Sequence, residues 1–212
     1  LSEEHQQQFD FIQNEVQRFI EDEAYHQGIE RLDSIIASIG ETEDYRLLHG
    51  AFLSRRAELY LELDDDESAW ADAQKAMNFG WYDAVVHSIA GWAMYNMESL
   101  EVAREQFEHA LALESDRVSS LIGRAMVLLE LEDWDEARID LTRVTQLDPQ
   151  YANAYALRAE IGIALATLDA AARDIKKARD IEPDDADYAL THARLLTASG
   201  DTAAAIKALK VA

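Results

Sequence analysis

Residues 134–149 read WDEARIDLTRVTQLDP. Ala137, Leu141 and Val144 fall on one face of a helix, and Pro149 follows where a missing N–H does least harm. The property that decides the fold is that this stretch returns. Ala137 has alanine at 34-residue intervals on both sides, at Ala69, Ala103, Ala171 and Ala205. Pro149 likewise returns as Pro183. A fixed period of this length marks stacked copies of one supersecondary unit, none of which can bury its apolar face alone.

Other columns keep the period. Twelve residues before each alanine lies a second small residue, giving Ala57, Gly91, Ala125, Ala159 and Ala193. A third column runs Ala76, Ala110, Val144, Ala178 and Ala212. Bulkier apolar residues dominate two more: Ala73, Phe107, Leu141, Ile175 and Leu209, then Tyr60, Met94, Leu128, Gly162 and Leu196. Small residues belong where two helix axes approach closely, and large ones fill the space beside them. Each unit therefore reads as two antiparallel helices. Polar turns separate the halves at 64–67 (DDDE), 131–136 (LEDWDE) and 199–202 (SGDT).

The period, the alternating columns and the segment WDEARIDLTRVTQLDP resemble the tetratricopeptide repeat (TPR) family over nearly the whole chain. The resemblance implies an all-α fold, a right-handed superhelix of six antiparallel helix pairs. It makes residues 1–212 a single array, with repeats near 9–42, 50–83, 84–117, 118–151, 152–185 and 186–212. The first repeat is weaker, with Val16, Phe19, Gly28, Leu32 and Ile35 in the equivalent roles. Gly28 precedes Ala69 by 41 residues, so seven extra residues lie in or around ASIGETEDYRLL, as a longer loop or an extended next helix.

Charge patterning adds a test. Arg56, Arg124 and Arg158 each have an aspartate sixteen residues later, at Asp72, Asp140 and Asp174. Where the arginine is Ala90 the aspartate is Gln106, and the first repeat reverses the signs with Glu15 and Arg31. Paired loss and reversal point to direct contact between the two helices of a repeat. Such pairs contribute about 0–1 kcal/mol each when exposed and more when partly buried.

Composition excludes several function classes. A net charge of −23 on 212 residues repels phosphate backbones and anionic membrane surfaces, so nucleic acid is not an expected partner. There is no cysteine, hence no disulfide, thiolate metal site or cysteine nucleophile. No apolar run approaches the ~18 residues that span a bilayer, so membrane insertion is not expected. The start, LSEEHQQQFDF, lacks the basic and apolar regions of a signal peptide, although a chain beginning at Leu1 is compatible with a leader already removed. The compartment stays open, with the cytoplasm favoured slightly over the periplasm.

No two of the six histidines lie three or four apart, so a helical metal site lacks its usual spacing. His87 sits in a packing column and reads as an ordinary buried or half-buried histidine. The acidic clusters DDDE (64–67) and EPDD (182–185) fall at turns and helix starts, where carboxylates cap N–H groups. No catalytic, metal or cofactor motif appears, and the chain reads as a non-enzyme without cofactors.

Stacked helix pairs present a concave surface lined by the first helix of each repeat. The register turns Arg55, Glu58, Ile89, Trp92, Tyr95, Ile122, Met126, Leu157, Glu160 and Arg194 toward that groove, apolar at its centre and charged at its ends. Such a groove suits a peptide or partner protein with apolar anchors. The competing reading buries Ile89 and Trp92 as core between neighbouring first helices. Asn96 and Asn153 are isolated and no lysine falls on this face, so the carboxylate clamp of some family members is not carried over. The segment GDTAAAIKALKVA reads as a second helix with its apolar side uncovered, which keeps two alternatives open: a self-assembling homo-oligomeric scaffold, or the helper domain of a larger enzyme.

Overall fold

The computed structural model describes residues 2–39 and 42–209. Among these residues are twelve α-helices and no strand. They are α1 (Glu3–Glu21), α2 (Tyr25–Ile39), α3 (Arg46–Leu61), α4 (Asp66–Asn78), α5 (Ala84–Asn96), α6 (Leu100–Leu113), α7 (Val118–Glu130), α8 (Trp134–Leu147), α9 (Ala152–Ala164), α10 (Leu168–Ile181), α11 (Ala186–Ala198) and α12 (Thr202–Leu209). The backbone forms two compact units, residues 1–123 and 124–212, dividing inside α7. In the first, α1 packs on α2, α3 on α4 and α5 on α6, while α3 also touches α1 and α5. In the second, α9 packs on α10, α11 on α12, and α9 touches α11. Within each unit, first helices thus line up beside one another with their second helices behind.

The seven extra residues go partly into a 3-10 turn at Glu43–Tyr45 and partly into α3, which has 16 residues against 13 in α5. Gly40 and Glu41, in the same segment, lie outside the described residues, as do Ala212 of the third column and the side chain of Leu209.

Helix starts follow the polar side chains that precede them. Asp65, Asp83 and Asp185 accept the N–H groups of Ser68, Val86 and Tyr188 at 3.1, 2.8 and 3.0 Å, as N-caps. The turn inside each pair has one recurring geometry. Asp64, Glu98, Glu132 and Ala166 have φ of 56°, 59°, 61° and 54°, with Gly200 at 88°. The following N–H then reaches back five residues: Asp65 to Tyr60, Ser99 to Met94, Asp133 to Leu128, Thr167 to Gly162 and Asp201 to Leu196, at 2.7–2.9 Å. A left-handed residue followed by this bond is the Schellman ending of a helix. It recurs every 34 residues although only one of the five positions is glycine.

The small columns carry the close approaches. Ala57, Ala69, Ala103, Ala125, Ala137, Ala159 and Ala171 have no exposed surface. Phe107 is also fully buried, and a Cβ on Gly91 would lie 2.7 Å from its ring, with one on Gly123 closer still. One large ring thus occupies the space that two glycines leave.

The arginine–aspartate expectation is met. Arg56, Arg124 and Arg158 each hold their aspartate through Nε and Nη2, at 2.6–2.8 Å. The reversed pair places Arg31 Nε 3.1 Å from both Glu15 oxygens. Hydrogen bonding to aspartate raises the pKa of Arg56 and Arg158, which outweighs the opposing effect of burial. Arg56 also reaches Asp33 of α2, and Arg158 Nη1 reaches Thr142 and Thr145 of α8, so each brackets the preceding repeat to its own. Where the pair is lost, His87 Nδ1 lies 2.9 Å from Gln106 Oε1, and both residues are buried.

Candidate functional site

In the first unit, α3, α5 and the start of α7 enclose a cleft of about 320 Å³ lined by Glu58, Leu61, Ser88, Ile89, Trp92, Asn96, Arg117 and Ser119. Trp92 follows the small residue Gly91, which turns it off the intra-repeat seam. Its indole Nε1–H donates to Ser119 Oγ at 2.9 Å. The ring meets Tyr95 at 6.0 Å and Phe107 at 5.5 Å between centroids, edge-on in both cases. Ser119 is shared, its hydroxyl lying 3.2 Å from Ser88 Oγ. Half-buried and held on three sides, the indole needs no reordering to receive a neighbour.

The other expected groove residues of this unit divide by burial. Tyr95 is half-buried. Ile89 is 5% exposed and packs with Leu53, Ala57, Val86 and Ala90, and Ile122 is 4% exposed, so these two offer little surface. Arg55 and Glu58 neutralise each other at 2.9 Å, and the Arg55 guanidinium stands 5.9 Å from the Phe9 ring centre. Arg117 and Ser119 have no counterpart among the expected residues, because they precede or begin α7, outside the columns that set the register.

In the second unit, Met126 and Leu157 are half-buried. Glu160 Oε1 accepts from both Arg194 Nη1 and Thr191 Oγ1 at 3.1 Å, an exposed pair joining α9 to α11. A separate cleft of about 540 Å³ includes Asp148, Tyr151, Asn153, Glu182, Asp185 and Tyr188. Burial, with Glu182 and Asp185 nearby, pushes the Tyr188 hydroxyl up to about 12, and burial also raises Tyr151. The capping role expected of EPDD holds at Asp185, and Glu182 and Asp185 also form a wall of this cleft.

Among the described residues no helix is long and apolar enough to cross a membrane, and no three His, Asp or Glu side chains converge where they could hold a metal ion.

No protein-family model matches the chain. Over 68 residues, 32% of its length, it is 34% identical to tetratricopeptide repeat protein 16 of Macaca fascicularis, and the match spans 8% of that protein. A tetratricopeptide repeat protein from Parabacteroides merdae superposes with a TM-score of 0.74 at 14% identity, covering 96% of this chain and 78% of its own. YrrB, described as a TPR protein with an unusual peptide-binding site, gives 0.66 at 18% identity, covering 88% of this chain and 89% of its own. The fold is therefore the tetratricopeptide-repeat fold, as the resemblance in the sequence implies.

Proposed function

We propose that this chain is a non-catalytic interaction module, a single array of six repeats, that binds a peptide or a segment of a partner protein against its first-helix face. The observation that carries this reading is Trp92, half-exposed at the cleft of the first unit and pinned by Ser119, Tyr95 and Phe107. A rigid aromatic anchor over an apolar floor contributes much affinity at little entropic cost. The small part of Ile89 that reaches the cleft adds to that floor beside Leu61, and Glu62 favours a ligand with a donor beside its apolar anchor. Met126, Leu157, Glu160 and Arg194 are the groove residues proposed for the second unit. That a protein of the same fold, YrrB, carries a peptide-binding site is consistent with this use. Neither a nucleic acid nor a membrane is a partner in this reading, and no cofactor takes part.

The test is affinity purification with the full chain from its source, followed by mass spectrometry, with the Trp92→Ala/Tyr95→Ala double variant alongside. Partners captured by the wild type should be lost from the variant at equal helicity. Because Trp92 also packs on Phe107, folding of the variant is checked by circular dichroism and urea unfolding. A folded double variant that keeps every partner would overturn the assignment.

A further inference from the structure

The columns reveal a second site where their pattern breaks. In α8, the hydroxyls of Thr142 and Thr145 accept from Arg158 Nη1 at 3.3 and 3.1 Å, while the Nε and Nη2 of Arg158 hold Asp174. One period of 34 residues later these four positions are Lys176, Arg179, His192 and Ala208. Two acceptors have become cations, the arginine has become an imidazole, and the carboxylate is gone. Between α10 and α11 this leaves a cleft of about 410 Å³, where Lys176, Arg179, Asp180 and His192 surround Ile175 and Leu195.

The hydrogen bond that remains runs backwards. Arg179 Nη1 lies 2.8 Å from His192 Nδ1, and since a guanidinium can only donate, Nδ1 is the acceptor and carries no proton. The opposite edge of the guanidinium is idle. Among the described residues neither Nε nor Nη2 of Arg179 has an acceptor, and Nε is closed to water. In Arg56, Arg124 and Arg158 the same Nε–Nη2 edge grips both oxygens of an aspartate. Asp180 lines the cleft, but among the described residues the partner of Arg179 is His192, so two cations face one carboxylate in a chain that is otherwise strongly acidic.

We propose that this cleft is an oxyanion site, taking a carboxylate or phosphate group on the Nε–Nη2 edge of Arg179 with Lys176 as second contact and the His192 ring beside it. The bound group does for Arg179 what aspartate does for Arg56, Arg124 and Arg158. A planar fork of donors prefers an acceptor with two adjacent oxygens, which both groups have. Binding requires the cleft to part enough to uncover Nε. The site is distinct from the proposed partner-binding face, because Arg194 stands about 200° around α11 from His192.

The experiment follows the histidine ring signals of the full chain by NMR while N-acetyl-aspartate or inorganic phosphate is added, with sodium chloride at equal ionic strength as reference. His192 starts below the ordinary histidine range because burial and Arg179 disfavour its charged form, and an adjacent anion opposes the second effect. Expected is a saturable shift at His192 with an increase in its pKa. Response to only one of the two probes would identify which group the site accepts. Arg179→Gln should weaken binding about tenfold or more and Lys176→Gln about threefold. Lys176 is exposed, so the second variant keeps the test alive should the first lose its fold. Drift no greater than chloride produces with both probes, or saturable binding unchanged in both variants, would overturn the proposal.

Discussion

Asp140 has a side chain only 4% exposed, and both of its oxygens are held by Arg124, at 2.8 and 2.7 Å. A carboxylate so withdrawn from water depends on its cation, and the cation partly on it. Asp140→Ala should cost about 2–4 kcal/mol, since it takes two charge-assisted hydrogen bonds from a half-buried guanidinium. The reversed pair is different, with Arg31 41% and Glu15 31% exposed, and Glu15→Ala should cost less than about 1 kcal/mol. Urea unfolding of the two variants checks the contrast, and equal losses would contradict the burial argument.

Phe107 gives a second prediction. Gly91→Ala places a methyl group against its ring and should destabilise the chain by about 1–3 kcal/mol. Phe107→Leu in the same chain should return part of that loss, although it is destabilising alone. Thermal melts of the two single variants and the double variant form the cycle, and strict additivity would mean the two positions do not share space.

A third concerns the turns. Ala166 holds a left-handed conformation at φ 54° with no polar side chain to favour it. Ala166→Gly relieves that strain at the expense of a more flexible unfolded chain, for a net gain of about 0.5–1 kcal/mol. The equivalent Gly200→Ala should lose a similar amount. Urea midpoints moving in opposite directions would bear this out.

Much of this architecture is legible in the sequence because a repeat states each contact several times. Arg56, Arg124 and Arg158 could be matched to their aspartates since three copies, one loss and one reversal all name the same partner. The left-handed turns were not legible, because their bonds are made by backbone groups that leave Asp64, Glu98 and Glu132 free to be any polar residue. Ile89 illustrates another limit. A helical wheel of one repeat points it toward the groove, but its burial comes from the neighbouring helix α3, with Leu53 and Ala57, and so from a relation between repeats. Arg55 and Glu58 pair with each other, and that ion pair removes the free charge expected at their end of the groove.

Alkaline pH should act through Tyr188. Its hydroxyl keeps its proton in the folded chain up to about 12, whereas the unfolded side chain ionises near 10. Between those values the unfolded state binds fewer protons, so stability falls as pH rises through this window and the contribution is intact below it. Spectrophotometric titration of the tyrosines, with Tyr188→Phe as reference, should show the late component vanish.

The brackets that Arg56 and Arg158 throw back to the preceding repeat have a thermodynamic meaning of their own. In a linear array, intrinsic stability and nearest-neighbour coupling are separate parameters, and the coupling sets how many units melt together. The grip on Asp72 or Asp174 belongs to the first parameter, and the reach to Asp33, or to Thr142 and Thr145, belongs to the second. A single guanidinium therefore enters both, so that loosening one repeat also weakens its bond to the one before. Hydrogen exchange in α8, α9 and α10 should accordingly rise together when Arg158 is replaced, as one cooperative block instead of three independent helices.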